Sequence, residues 1–139
     1  MSVKSVLMRT AMAATVLAGS LAFASPAQAS GGGCSTVTQG GFNIGVCSGD
    51  DGVWMYPDHY NNSKPAAAND NNCYTQSRVE GSNGTVTNWS IGGCSTGHWD
   101  QPNWKIQGYS SSITWRNRVE VIYNGTKVYD HYGPSTRCC

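Results

Sequence analysis

The clearest pattern of apolar and polar positions lies in the last third of the chain, from 113 to 128. Apolar residues alternate there with polar or charged ones: Ile113, Trp115, Val119, Val121 and Tyr123 against Thr114, Arg116, Arg118 and Glu120. A period of two predicts a strand with one buried face and one wet face. The pair Asn124-Gly125 favours a two-residue hairpin turn, which places Val128 opposite Val121 on the inner face.

Two more hairpins are indicated by glycine-containing pairs that lie midway between cysteines. Asn83-Gly84 lies midway between Cys73 and Cys94, so pairing outward from the turn brings these two cysteines opposite each other. They fall at a non-hydrogen-bonded position, where Cα atoms are about 4.5 Å apart, at the short end of the range that a disulfide spans. The spacing therefore predicts a Cys73–Cys94 bridge.

The other four cysteines leave the connectivity open. Gly40-Gly41 lies midway between Cys34 and Cys47, and this hairpin would permit a bridge between them. That bridge would leave Cys138 and Cys139 only each other, and a bond between sequence neighbours is strained. We therefore expect Cys34 and Cys47 to pair with the two terminal cysteines, in an order that the fifteen connectivities of six cysteines leave open.

The residue types favour an all-β fold. Every leucine lies near the N-terminus (Leu7, Leu17 and Leu21), and the rest of the chain relies on Val, Ile, Trp and Tyr, which fit pleated surfaces. About seven short strands with three hairpins predict a small disulfide-stapled antiparallel β-sandwich, immunoglobulin-like or similar. A partly closed barrel is the alternative.

Two segments rich in aromatic and polar residues are expected to be loops. The first, Asp58–Asn72, follows a short strand, Val53–Tyr56, that ends at Pro57. The second runs from Ser95 to Asn103. We expect the hairpin between the bridged cysteines to hold the aromatic stretches 54–72 and 95–109 onto the sandwich.

The N-terminal residues are typical of an export signal. Lys4 and Arg9 make a positive start, Ala11–Phe23 is apolar, and Ala27-Gln28-Ala29 is typical of a cleavage site. We expect a signal peptide at 1–29 and a single secreted, extracellular domain at 30–139, where all six cysteines fall. The apolar run is shorter than the roughly 20 residues needed to span a bilayer, so no membrane span is expected.

Charge gives little support to binding of nucleic acid. Without Lys4 and Arg9 the acidic residues outnumber the basic ones by one, and no run of basic residues occurs. Electrostatic capture of a polyanion needs such a run, so no nucleic-acid partner is expected.

Aromatic residues are more numerous than a small core readily absorbs, and several lie beside Asn, Asp, Gln and Gly. Rings flanked by amides suit a polysaccharide, through apolar stacking and directional hydrogen bonds, and they also suit a protein surface. The candidate binding residues are Trp54, Tyr56, Tyr60, His98, Trp99 and Trp104, and Trp89 and Tyr109 belong to the same aromatic set. The competing interpretation is that Trp and Tyr fill a core that lacks Leu.

One charged constellation has the composition of a catalytic site. Pairing outward from the last turn places Arg118 opposite His131, with Glu120 as a diagonal neighbour of His131. Arg116 lies further along the same wet face. A carboxylate base, a His acid and arginines that hold a phosphate are what a metal-free ribonuclease needs. The competing interpretation is a solvated face with cross-strand charge pairs.

No metal and no other cofactor is expected. Each His lies near an Asp, in Asp58-His59, His98-x-Asp100 and Asp130-His131, but adjacent side chains of a strand point to opposite faces. Only His98 and Asp100 could share a face, and disulfides leave few cysteines to complete a zinc site.

Short motifs recur over most of the chain beyond residue 30: Gly45-Val46-Cys47, Gly52, Tyr56-Pro57-Asp58, Tyr60, Asn62, Cys73, Gly93-Cys94-x-x-Gly97-His98, Arg118-Val119-x-Val121, Gly125 and a terminal Ser-x-x-Cys. In these motifs the chain resembles a set of small uncharacterised secreted proteins of actinobacteria. The resemblance implies export and a β fold, and it supplies no activity. It matches Cys47, Cys73, Cys94 and one terminal cysteine to the relatives' pattern, and it implies that the added Cys34 pairs with the other terminal cysteine.

A second, local likeness joins Val53–Lys64 to secreted bacteriocins of the lactococcin 972 type, which are β-sandwich proteins with Tyr-rich strands. The sequence as a whole favours a non-catalytic secreted protein that recognises a surface, with a glycan or the cell envelope as the leading ligand. A bacteriocin-like antibacterial protein or an enzyme inhibitor is the alternative, and a small metal-free ribonuclease is the third.

Overall fold

The computed structural model describes residues 32–106 and 112–137. The expected signal peptide, Tyr109 and the terminal pair Cys138 and Cys139 lie outside these residues. Within the described ranges every regular element is a strand. No helix there is long and apolar enough to cross a membrane.

The strands of the described residues form two antiparallel sheets. In chain order they are β1 (Gly33–Gln39), β2 (Phe42–Asp50), β3 (Trp54–Ser63), β4 (Cys73–Gly81), β5 (Ser90–Gly92), β6 (Gly97–Asp100), β7 (Trp104–Lys105), β8 (Thr114–Tyr123), β9 (Thr126–Tyr132) and β10 (Thr136–Arg137). The first sheet has the order β1-β2-β3-β6, with β7 also paired to β3. The second has the order β10-β8-β4-β5, with β9 also paired to β8. The predicted β-sandwich is confirmed.

Two apolar clusters fill the space between the sheets. The larger contains Phe42, Ile44, Val46, Ala68, Cys73, Cys94, Val119, Val121 and Tyr129. The smaller contains Met55, Val79, Ile106 and Trp115. The alternating pattern found in the sequence at 113–123 thus contributes to both clusters, because every second side chain of β8 points inward.

A band of buried polar side chains separates the two clusters. On β8, Asn117 lies between Trp115 of the smaller cluster and Val119 of the larger one. Asn117 also joins the sheets: its backbone N–H donates to Ser48 Oγ at 3.0 Å, and its Nδ2 donates to the backbone oxygen of Asp58 at 2.9 Å. These bonds offset the cost of burying polar groups. The same buried band includes His59, Thr75 and Ser77.

The first hairpin forms as predicted, and it changes the cysteine assignment. Gly40 and Gly41 turn the chain with φ of 57° and 83°, a left-handed conformation that favours glycine. Cys34 then lies directly opposite Cys47, and the two form a disulfide with Cα atoms 4.0 Å apart. The expectation that each pairs with a terminal cysteine is wrong, as is the pairing implied by the resemblance, because the hairpin already places these two side by side.

The Cys73–Cys94 bridge is confirmed, with Cα atoms 5.7 Å apart. Strand β5 pairs with β4 in the register predicted from Asn83-Gly84, although the pairing shifts by one residue where Glu80 meets Val86. Cys73 lies where the chain enters the second sheet from β3, and Cys94 lies just after it leaves that sheet for β6. The bridge therefore ties together the two segments that cross between the sheets.

Both segments expected to be loops contain strands instead. Strand β3 continues through Pro57 to Ser63, and β6 and β7 form alongside it. Pro57 falls between the stretches of β3 that pair with β6 and with β7, so its missing N–H removes no hydrogen bond to either strand. The aromatic residues of these segments lie on a sheet rather than in loops held by a hairpin.

We expect the two bridges to contribute unequally to stability. Cys73 and Cys94 pack inside the larger cluster, whereas Cys34 is exposed and its hairpin is closed by its own hydrogen-bonded ladder. Replacing both Cys73 and Cys94 by Ala should lower the free energy of unfolding by about 2–5 kcal/mol. The paired change Cys34→Ser with Cys47→Ser should cost less. Urea denaturation of both double variants checks this order, and equal losses would contradict it.

Candidate functional site

Strand β3 divides its side chains between the two faces of the first sheet. Met55 and His59 are buried against the second sheet, whereas Trp54, Tyr56 and Tyr60 point outward. The exposed fractions of these three rings are 39%, 39% and 41%. The rings thus form a row along one strand on the outside of the molecule.

Strand β2 places glycines beside two rings of this row. Gly45 is the pairing partner of Tyr60, and Gly49 is the pairing partner of Tyr56, so no side chain of β2 stands directly opposite either ring. A Cβ added at Gly49 would meet no atom within 4 Å, so the surface beside Tyr56 is open, whereas Gly45 is buried and a Cβ there would lie 3.1 Å from Thr36 Oγ1. We call this surface, made by Trp54, Tyr56 and Tyr60 with the two facing glycines, the outer aromatic face.

Asp51 fixes one end of the outer aromatic face. Its Oδ1 accepts the backbone N–H groups of Val53 at 2.9 Å and Trp54 at 2.7 Å, and its Oδ2 accepts the hydroxyl of Tyr56. The hydrogen bond from Tyr56 lowers the pKa of Asp51, and the same bond raises the pKa of Tyr56. The Tyr56 ring is therefore held at its outer edge.

An ion-pair cluster borders the other end. Strand pairing brings Tyr60 opposite His98 and Asp58 opposite Asp100. The rings of Tyr60 and His98 stack with centroids 4.6 Å apart. His98 Nε2 lies 2.8 Å from both carboxylate oxygens of Asp58 and 3.3 Å from Oδ1 of Asp100. The hydrogen bond to Asp58 raises the pKa of His98, and the charge of Asp58 raises the pKa of Tyr60.

Asp58, His98 and Asp100 form a group that could hold a metal ion, since their ligand atoms lie within 4.8 Å of one another. Two carboxylates and an imidazole suit a divalent cation such as Zn²⁺. The distances from His98 Nε2 to Asp58 and Asp100 are equally those of an imidazole that pairs directly with two carboxylates, without a metal. We therefore assign no metal to the group and describe it as the ion pair that fastens β6 to β3.

The six candidate binding residues divide between two surfaces. Four of them lie on the outer side of the first sheet: Trp54, Tyr56, Tyr60 and His98. Trp99 and Trp104 are half-buried and point between the sheets. The ring of Trp99 lies parallel to that of His59 at 6.5 Å, and the ring of Trp104 contacts Trp115 of the core at 4.7 Å. The set proposed from sequence is therefore not one site.

His59 lies in the buried polar band and is 3% exposed. Gln101 Nε2 donates to His59 Nδ1 at 2.8 Å, which places the ring proton of the neutral His on Nε2. That Nε2 has no hydrogen-bond partner among the described residues. Burial lowers the pKa of His59 to about 4, so the ring is neutral at neutral pH.

The candidate catalytic set does not assemble. An extra residue, Val128, shifts the pairing of β8 with β9 by one position, so that His131 lies opposite the core residue Val119. His131 Nε2 is instead 2.9 Å from Ser35 Oγ, on the first sheet. The expectation that His131 shares a wet face with the charged residues of β8 is wrong.

Those charged residues form a network of ion pairs. Arg118 donates two hydrogen bonds to Asp130, at 2.9 and 2.7 Å, and its Nη2 lies 2.9 Å from Glu120. The bonds from Arg118 lower the pKa of Asp130 to about 2. Arg116 lies over the ring of Tyr132, 3.8 Å from its centroid. This is a network of cross-strand charge pairs that is largely screened from water, since the side chains of Arg118 and Glu120 are only 18% and 8% exposed.

Sequence reasoning missed the two glycines of β2 that pair with Tyr60 and Tyr56 in the outer aromatic face. Their signal is a period of two at Gly45 and Gly49, which matches the period of the rings on β3. The match becomes visible only when β2 and β3 are paired, and Pro57 concealed the length of β3.

Comparisons with known proteins assign no family. No protein-family model matches the chain, and neither a curated protein nor a solved structure matches it. The function proposed below therefore rests on the geometry of the site.

We expect His59 to make stability depend on pH. Its pKa is lower in the folded chain than in the unfolded chain, so the unfolded chain binds more protons between about pH 6.5 and 4. The free energy of unfolding should fall as pH drops through this window, by about 3 kcal/mol. Urea denaturation at pH 7 and pH 4.5 measures the fall.

The variant His59→Phe should lose this contribution, and the matched variant His98→Gln should keep it. The charge of Asp58 raises the pKa of His59 and that of His98 lowers it, but burial is the larger cause. An unchanged pH dependence in His59→Phe would contradict the expectation.

Proposed function

We propose that this protein is a non-catalytic binding module that attaches to an uncharged polysaccharide of a cell envelope through the outer aromatic face. One observation carries the proposal: three aromatic rings at alternating positions of a single strand, Trp54, Tyr56 and Tyr60, are each about two-fifths exposed on the same side of a sheet. When another apolar surface covers a large exposed ring, apolar area is removed from water, and this favours binding.

The flatness of the face favours a polysaccharide over a protein loop. The pairing partners of Tyr56 and Tyr60 on β2 are glycines, so no side chain of β2 rises directly opposite either ring, and the space beside Tyr56 is open. A sugar chain presents the apolar sides of successive rings together with hydroxyl groups. Amide and carboxylate groups beside the row accept or donate hydrogen bonds to such hydroxyls: Asn62 and Asn43, joined at 2.8 Å, and Asp51.

Charge around the face favours an uncharged polymer. Asp51, Asp58 and Asp100 lie along it, and Lys105 is the pairing partner of Trp54. Carboxylates outnumber cations among these residues, so a polyanion would meet repulsion. Binding that rests on ring stacking should also change little with salt concentration.

Adsorption to insoluble chitin and cellulose tests the proposal, with peptidoglycan, whose peptides carry carboxylates, as the charged comparison. The protein should sediment with at least one of the two uncharged polymers, and Trp54→Ala or Tyr60→Ala should lower the partition coefficient about tenfold, because each removes one stacking ring. Tyr74→Ala is the matched control, since Tyr74 is 40% exposed on the second sheet. Failure to adsorb to both uncharged polymers, or an equal loss in Tyr74→Ala, would refute the proposal.

A variant that adds an obstacle gives a second test. Gly49 has open space around its Cβ position and no left-handed backbone, so Gly49→Gln should fold normally and place a side chain beside Tyr56. Adsorption should weaken, while the urea midpoint stays unchanged. Full adsorption by Gly49→Gln would show that the polymer does not lie across β2.

A further inference from the structure

The two sheets leave a cleft between them on the side of β5, β6 and β7. It consists of a larger cavity of about 590 Å³ and a smaller one of about 200 Å³. Ser77, Ser90 and Gln101 line both cavities, so the two adjoin. The larger volume lies in the range of small-molecule sites. We call the two cavities together the inter-sheet cleft.

Indole rings form much of the wall of the inter-sheet cleft. Trp89 and Trp104 line the larger cavity and Trp99 lines the smaller one. The guanidinium of Arg78 lies 4.3 Å from the centre of the Trp89 ring and fixes it from one side. The charge of Arg78 is in turn neutralised by Glu80, at 2.6 Å.

His59 borders the smaller cavity with a buried side chain. The residue is 97% buried, and its Nε2 finds no partner among the described residues. That atom has almost no surface open to the cavity, so an oxygen of a ligand in the cavity could not approach it. The His59 ring therefore forms part of the wall of the smaller cavity.

The remaining lining indicates which ligand chemistry fits. Six of the thirteen residues that line the larger cavity carry hydroxyl or amide groups: Ser77, Thr87, Asn88, Ser90, Gln101 and Asn103. Asp100 lines the smaller cavity, but its side chain is 90% exposed and lies 3.3 Å from His98. Arg78 lines the larger cavity, but Glu80 neutralises its charge, so a charged ligand would find no unpaired buried opposite charge among these lining residues. An uncharged ring with several hydroxyl groups matches both the indoles and the polar lining.

We propose that the inter-sheet cleft binds a short uncharged saccharide, with a sugar ring stacked on Trp89 and its hydroxyl groups hydrogen-bonded to the amides of the lining, Asn88 among them. The choice of a saccharide as ligand rests on the proposed function, but the residues of the cleft are not those of the outer aromatic face. The outer aromatic face would hold a polymer along its length, and the cleft would take a chain end or a released fragment.

Isothermal titration with cellobiose, N,N′-diacetylchitobiose and maltose tests the inference. At least one of these sugars should bind with a stoichiometry of one, and Trp89→Ala should weaken the affinity about tenfold. Asn88→Ala removes an exposed amide of the lining without disturbing the core, so it should also weaken the affinity.

The outer-face variant Tyr60→Ala separates this inference from the proposed function. It should leave the affinity for the soluble sugar unchanged, while Trp89→Ala should leave adsorption to the insoluble polymer unchanged. Adsorption without saturable binding of any of the three sugars overturns the cleft inference alone. Sugar binding that Trp89→Ala and Asn88→Ala both leave intact overturns it as well. Sugar binding at the cleft without adsorption overturns the proposed function alone.

Discussion

The register of β3 is the constraint on which the rest of the structure depends. This strand pairs with β2 along one side and with β6 and β7 along the other, and its side chains alternate strictly between outside and inside. A slip of one residue would bury Trp54, Tyr56 and Tyr60 and expose Met55 and His59. Both the outer aromatic face and the buried position of His59 therefore follow from one pairing.

Contacts outside the ladder hold that register. Asn117, on the second sheet, donates from Nδ2 to the backbone oxygen of Asp58, and His98 joins Asp58 across the edge of the first sheet. The band of polar side chains that contains Asn117 separates two apolar clusters instead of merging them.

Local sequence signals predicted much of this fold. Turn pairs such as Gly40-Gly41 encode both the hairpin and its register, and residues 113–123 carry a period of two that tertiary packing preserves. That register also permits the pairing of Cys34 with Cys47. The expectation that these two pair with Cys138 and Cys139 depends on the count of cysteines in the whole chain, whereas the local geometry of the hairpin decides.

The remaining features depend on interactions that sequence alone does not display. Proline is rare inside strands that are paired on both sides. Pro57 is accommodated in β3 because its position pairs with neither β6 nor β7. One extra residue at Val128 moves His131 to the other face of its sheet, and no turn signal marks it. The separation of Trp99 and Trp104 from the outer rings likewise depends on strand pairing between distant segments.

Hydroxyl-radical footprinting of the protein adsorbed to its polysaccharide tests the central claim most directly, because it reports the exposure of each ring. The account predicts that adsorption protects Trp54, Tyr56 and Tyr60 from oxidation and leaves Tyr74, on the second sheet, labelled as in solution. Protection of Tyr74, with Trp54, Tyr56 and Tyr60 still fully labelled, would contradict it.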